Sequence, residues 1–247
     1  MRRCRWRIIS YKFKIQNLRF KIQGMKDSVR DEFDLLFLHH PLLRVCGESV
    51  LAAYQLLRNC YHNKGLIMVC GNGGSAADAE HIVGELMKGF KLRRPLSREQ
   101  RLLIQSAFPD DGAFLSENLQ QAIPAISLVS QTSISTAFIN DVEAEMVFAQ
   151  LVLGYGKPGD ALIGLSTTGN SINVVNACKI AKALEIRTIG FTGEKQSRLS
   201  EICDVTICVP AQEVYRVQEL HLPVYHTLCA MLEADVFGEG FIVHKDN

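Results

Sequence analysis

Five short apolar runs rich in β-branched residues, at 65–70, 125–130, 160–165, 187–191 and 204–209, alternate with segments of helical periodicity. That alternation leaves few folds open. Strands joined through helices run parallel, and a parallel sheet needs helices on both faces to cover its apolar side chains. The expected fold is therefore α/β, with ligands bound at the C-terminal ends of the strands. Helices are expected at 74–90, 132–139, 142–156, 171–184, 196–202 and 213–237. Ahead of them, Phe33, Leu36, Phe37, Val45, Val50, Leu51, Tyr54 and Leu57 recur at helical spacing, and Pro41 divides that stretch into two helices or one kinked helix. A chain of 247 residues suits one sizeable domain of this kind.

Two of the strand-to-helix turns carry chemistry. Leu66-Ile67-Met68-Val69-Cys70 leads into Gly71-Asn72-Gly73-Gly74-Ser75, which opens a helix. Glycines let the backbone approach a ligand, and the free N–H groups and dipole of a helix N-terminus face negative charge. Later, Leu162-Ile163-Gly164-Leu165 leads into Ser166-Thr167-Thr168-Gly169-Asn170-Ser171. A pair of such turns, one of them hydroxyl-rich, suggests a phosphate held by hydroxyls and backbone amides. Neither turn is a Walker loop or a G-x-G-x-x-G loop.

One stretch does not fit the alternation. Residues 91–123 are polar, contain Pro109-Asp110-Asp111-Gly112, and are too long for a plain connection. A helical insertion acting as a lid or a subunit contact is expected there.

Charge excludes some classes of partner. Residues 1–25 hold eight Lys or Arg and no acid, which leaves 19 basic against 26 acidic residues in 26–247, about −7. The body is a poor duplex-binding surface. The basic stretch lacks the apolar core of a secretory signal. Residues 1–25 are expected to be a disordered extension or an over-extended start, with Met25 as the first residue; a nucleic-acid or membrane-surface arm and a transit peptide are the alternatives. Residues 26–247 then form the domain. The eight cysteines show no C-x-x-C pair and sit mostly among apolar neighbours, as free thiols of a reducing cytoplasm do. No apolar run is long enough to cross a bilayer.

His81 and Glu85 are four apart on one face of the helix after the first loop, and Gln218 and His226 are eight apart on the last helix. Two imidazoles, a carboxylate and an amide oxygen form a plausible Zn²⁺ set if these helices converge. Each pair alone is more often a surface pair. Glu219 and His221 add polar groups to the same apolar helix, and such a cluster usually lines a site or an interface. The residues by themselves indicate a sugar-phosphate-like ligand in an α/β domain, with a metal possible.

The motifs Cys70-Gly71-Asn72-Gly73-Gly74-Ser75, Phe138-Ile139-Asn140-Asp141, Ser166-Thr167-Thr168-Gly169-Asn170-Ser171 and Arg216-Val217-Gln218-Glu219-Leu220-His221 resemble, in order, those of the SIS-domain phosphoheptose isomerases. The resemblance runs from about Val45 to Phe237, with 91–123 as an insertion. It implies a single SIS domain: a flavodoxin-like, five-stranded parallel sheet flanked by helices, preceded by N-terminal helices. It implies interconversion of sedoheptulose 7-phosphate and D-glycero-D-manno-heptose 7-phosphate through an enediol, assisted by zinc. Asn72, Gly73 and Gly74 would line the sugar, Ser75 would lie near the phosphate, and Asn140 and Asp141 would contact the substrate chain. Ser166, Thr168 and Ser171 would bind the phosphate, with Thr167 beside them. His81, Glu85, Gln218 and His226 match the zinc ligands; Glu85 and Gln218 also border the substrate, and Glu85 and His226 match the acid–base pair. A zinc-held base is weaker than a free one, so either one group leaves the metal to act or the metal is structural. The family is typically a homotetramer with sites between subunits.

Three positions depart from the family pattern: Ala76 stands where His is frequent, Gly89 where an Arg is expected, and Tyr215 where an Asp is expected. The alternative function is a regulatory SIS protein that binds a sugar phosphate or assembles the replication initiator DnaA. In that relative the position matching His226 is Asn, whereas His226 is present here.

Overall fold

The computed structural model describes residues 24–238, so nearly all of the basic extension expected at 1–25 lies outside the described residues. Two helices cover the N-terminal stretch. In α1 (Asp27–His39), Val29, Phe33, Leu36 and Phe37 fall on one stripe and are buried. Pro41 heads a 3-10 turn, Pro41–Cys46, at a position where its missing N–H costs nothing. It therefore separates α1 from α2 (Gly47–His62) rather than kinking one helix.

The five strands are β1 (Ile67–Gly71), β2 (Ala125–Ser127), β3 (Ala161–Leu165), β4 (Arg187–Thr192) and β5 (Val205–Cys208). Their order is β2-β1-β3-β4-β5, and every pair is parallel. This is the flavodoxin-like arrangement. Strand alternation sorts the core into two faces. Ile67, Val69, Ile163 and Phe191 pack with α1, α2, α3 (Gly74–Met87) and α10 (Val214–Phe237), while Met68, Cys70 and Leu162 pack with α7 (Val147–Tyr155) and α8 (Ile172–Ala183).

Residues 91–123 contain two helices. These are α4 (Arg98–Ala107), opened by a Ser97–Gln100 capping box, and α5 (Gly112–Glu117). The neck of this segment is narrow: Pro95 bridges Gln120, and Gln121 N–H donates to Arg94 O at 2.7 Å. Leu102, Leu103, Phe108 and Phe114 remain exposed on it. Between β2 and α7 lies α6 (Thr132–Asp141), and α9 (Arg198–Ile202) precedes β5.

The topology decides where a ligand can sit. From β1 the chain turns through α3 to β2, and from β3 it turns through α8 to β4, on opposite sides. The crevice between β1 and β3, where Gly71 faces Leu165, is thus the switch point of the sheet. Both glycine- and hydroxyl-bearing loops open onto it.

His221 does not join that site. It is fully buried against Phe191 and Thr192, with Nε2 3.3 Å from Thr192 O and Nδ1 without a partner among the described residues. Glu219 is exposed and pairs with Arg216 at 2.8 Å. Burial lowers the His221 pKa from 6.5 to about 4, against a smaller opposing effect of the Thr192 hydrogen bond. The unfolded chain thus binds more protons between these two values, so His221 stabilises the fold above pH 6.5 and that contribution is lost as pH falls to about 4. At about 1.4 kcal/mol per pKa unit the loss approaches about 3 kcal/mol. Urea unfolding of His221→Gln is expected to lack this part of the acid slope; an unchanged slope would rule out His221 as its source.

Candidate functional site

The glycine turn is shaped by its backbone. Gly73, which caps α3, has φ +57° and ψ −122°, a conformation closed to other residues at low cost. A Cβ on Gly74 would lie 2.5 Å from Gln218 Nε2, so glycine there lets α10 approach the start of α3. Asn72 binds across the crevice, exchanging hydrogen bonds of 2.9 and 3.0 Å with Asn173 at the start of α8. Ser75 is buried. The two loops are therefore tied into one wall.

The hydroxyl loop is also held. Ser166 is buried at the end of β3, and its Oγ lies 2.9 Å from Ser171 Oγ, just before α8 begins. The Thr167 carbonyl accepts from Gly193 N–H at 2.9 Å, and Thr168 Oγ1 accepts from Asn170 N–H at 3.2 Å. Ser166 and Ser171 hydroxyls meeting at a helix N-terminus form a cradle suited to an anion.

Three of the four expected metal ligands converge. His81 Nε2, on α3, is 3.1 Å from Glu85 Oε1 one turn on and 3.4 Å from His226 Nε2 on α10. The ligand atoms of all three lie within 4.8 Å of one another. Atoms bound to a tetrahedral zinc at about 2.0–2.1 Å are about 3.3–3.4 Å apart, close to this spacing. Two imidazoles and a carboxylate are also the donor types zinc prefers, so the residues fit that ion. Gln218 lies at Gly74, with no hydrogen bond to the other three among those of the described residues. Burial, and then His81, lower the His226 pKa against the opposing pull of Glu85.

Residues that spacing did not reveal support this cluster. Tyr225 Oη is 3.1 Å from both Asp78 Oδ1 and His81 Nδ1, and the Phe90 ring lies 5.4 Å from that of His226. Asp78 is three residues before His81 on the same helix and Tyr225 adjoins His226, so only the packing of α3 on α10 unites them. Lys88 Nζ lies 3.4 Å from Glu85 Oε2, placing a cation beside Glu85 although Gly89 carries none. Tyr215 is exposed and stacks with Arg216.

The far end of α3 is clamped. Arg94, completely buried, donates to Leu86 O at 2.7 Å and Glu85 O at 3.2 Å, closing the last turn of the helix. Its Nε donates to Glu233 of α10 at 2.8 Å, and Glu233 also accepts from the N–H groups of Phe90, Lys91 and Leu92. Asn140 and Asp141, in contrast, are exposed on the last turn of α6 and hydrogen-bond to each other at 2.7 Å. Among the described residues no contact brings them to the cluster.

With this geometry in view, similarities to known proteins are specific. The SIS domain family pattern matches residues 44–120 and 101–193. The phosphoheptose isomerase of Geotalea daltonii is 38% identical over 205 residues, which cover 81% of this chain and 93% of that protein. That of Akkermansia muciniphila is 33% identical over 221 residues, 90% of this chain and 97% of the relative. Among solved structures, phosphoheptose isomerase GmhA from Neisseria gonorrhoeae superposes with a TM-score of 0.62 at 29% identity, covering 83% of this chain and 97% of that one.

Proposed function

Because this chain belongs to the SIS-domain phosphoheptose isomerase family, and so is an aldose–ketose isomerase acting on a sugar phosphate, we propose that its substrate pair is sedoheptulose 7-phosphate and D-glycero-D-manno-heptose 7-phosphate. The observation that carries this reading is the meeting of His81, Glu85 and His226, on helices that border the phosphate cradle. Ser166, Thr168 and Ser171 bind the phosphate at the start of α8, while Asn72, Gly73 and Gly74 line the sugar and Ser75 backs the turn.

The reaction needs a base at carbon and an acid at oxygen. Glu85 removes a proton from C1 of the ketose and, after exchange with water, returns one to C2, and His226 protonates O2 and collects the proton of O1. The intermediate between these transfers is the enediol. His81, Glu85, Gln218 and His226 would hold zinc, which when bound would supply Lewis-acid polarisation of the carbonyl, and a group moving a proton would have to be off the metal at that moment.

We extend the proposal to a homotetramer with sites between subunits. In support, α6 has no buried residue in this chain, and Ile134, Ile139 and Val142 are exposed around Asn140 and Asp141. A second chain covering this face brings Asn140 and Asp141 to a substrate. Among the described residues no helix is long and apolar enough to cross a membrane, and the seven cysteines there are free thiols, in keeping with a cytoplasmic location.

Purified protein supplied with zinc and sedoheptulose 7-phosphate in deuterated water is expected to yield the aldose carrying deuterium at C2. Ser166→Ala is expected to raise KM about 10-fold, the cost of one hydrogen bond to a charged group. No turnover of any six- or seven-carbon ketose phosphate, together with binding of DnaA, would overturn the enzyme reading in favour of the regulatory one.

A further inference from the structure

The amides of Asn72 and Asn173 face each other across the crevice between β1 and β3, and Nδ2 of each donates to Oδ1 of the other, at 2.9 and 3.0 Å. We propose that Asn173 is a positioning residue that fixes the Asn72 amide in one of its two orientations, so that the first loop matches the hydroxyls of a sugar chain. The proposal rests on the reading of Asn72 as a sugar-lining residue given above.

The pair by itself selects no orientation. Both amides could turn end for end together, and two hydrogen bonds would form again. A third contact breaks the tie: Asn173 Oδ1 also accepts from the Val174 N–H, at 3.0 Å. Val174 lies in the first turn of α8, where Ser171 gives no side-chain cap and the carbonyl four residues back is outside the helix. Among the described residues, Asn173 Oδ1 is the acceptor found for that N–H. With the Asn173 amide turned over, Nδ2 would meet it, donor against donor. The oxygen therefore stays on Val174, and Asn72 must offer Nδ2 to that oxygen. A backbone N–H of α8 thus orients an amide on the other loop.

The consequence falls on what Asn72 has left. A side-chain amide carries two N–H donors and two lone pairs. Asn72 and Val174 together occupy both lone pairs of Asn173 Oδ1. Asn72 uses one N–H and one lone pair in the pair and keeps one of each. In a mutual amide pair the bonded N–H is the one beside the carbonyl, so the remaining donor and acceptor point off opposite edges of the amide. A hydroxyl both donates and accepts, so neighbouring hydroxyls of a sugar satisfy both edges; a carboxylate only accepts and serves one. Asn72 is exposed and Asn173 half-buried, which leaves Asn72 accessible to a ligand. Held in advance, it need not be ordered when the ligand binds.

Calorimetric titration of the full chain with sedoheptulose 7-phosphate and, separately, with inorganic phosphate tests the proposal. Asn173→Ser keeps a hydroxyl near Val174 but is too short to hold Asn72. It is expected to weaken binding of the sugar phosphate about 5-fold, the scale of ordering one side chain on binding, and to leave binding of inorganic phosphate as in the wild type. In an Asn72→Ala background the same substitution is expected to cost nothing further. Three results would overturn the proposal: unchanged affinity for the sugar phosphate, an equal loss for both ligands, which would place Asn173 in the phosphate cradle, or an equal loss with and without Asn72. A wild type that binds the sugar phosphate without converting it would end the isomerase reading and leave this comparison to decide the role of Asn173. A wild type that binds no sugar phosphate would overturn both.

Discussion

Glu85→Gln and His226→Ala are each expected to lower kcat at least about 1,000-fold, within the range attributed to general acid–base catalysis. The physical basis is that each group is assigned a proton transfer in the reaction. Gln at position 85 keeps the shape and hydrogen-bonding capacity of Glu but has no basicity. Ala at position 226 removes the imidazole and with it any group there that can give or take a proton. A factor of 1,000 corresponds to about 4 kcal/mol of transition-state stabilisation. The fold does not depend on either side chain, since the core beneath them is formed by Ile82, Leu86, Leu228 and Leu232. Thermal melts are therefore expected to stay within a few degrees of the wild type. Initial rates and circular dichroism on the same samples separate the two effects. Glu85→Gln retaining a tenth of the wild-type rate would remove Glu85 from the chemistry.

The largest stability effect is expected at a residue that touches no substrate. Glu233→Ala leaves the Arg94 guanidinium buried without its partner and strips three backbone N–H groups, those of Phe90, Lys91 and Leu92, of their acceptor. Breaking a buried pair from one side costs about 3–5 kcal/mol, because the surviving charge stays desolvated. Arg94→Met is expected to cost a similar amount: it frees the carbonyls of Glu85 and Leu86 and removes the guanidinium from above the Phe237 ring, 4.9 Å away. The double variant Arg94→Met, Glu233→Ala is expected to lose less than the sum, since no charge is then stranded. Guanidinium unfolding of the four proteins measures this cycle. Single losses below about 1 kcal/mol would show that the pair is not buried as described.

How much of this was legible depended on how local each signal is. The five strands, the break at Pro41 and the helical insertion were readable because period, β-branching and proline act over a few neighbouring residues. The two loops were readable for the same reason, as glycine and hydroxyl residues sit in one short run each. His81 and Glu85 could be paired because a helix brings residues four apart together. The association of that pair with His226 was an expectation from resemblance, and α3 packing on α10 realises it.

Other residues carried no local sign of their role. Asp78 and Tyr225 are 147 apart in sequence, and each alone looks like an ordinary polar residue of a helix. Arg94 lies in a basic stretch close to Gly89, where the family pattern has an Arg, yet it is completely buried on Glu233. His221 looked like part of a polar site and is a core residue beside β4. Asn140 and Asp141 stand apart from the cluster within one chain, because burial and partners depend on the docking of distant elements.

The sequence by itself determined the parallel α/β class, the order of the elements and the glycine- and hydroxyl-bearing loops, since these follow from local periodicity and turn chemistry. Only the tertiary structure decided that the loops share the crevice between β1 and β3, that His81, Glu85 and His226 share one point in space, and that Tyr225 with Asp78 stands behind His81. Strand order and the packing of α3 against α10 set those distances, and both arise from burying apolar faces that lie far apart along the chain.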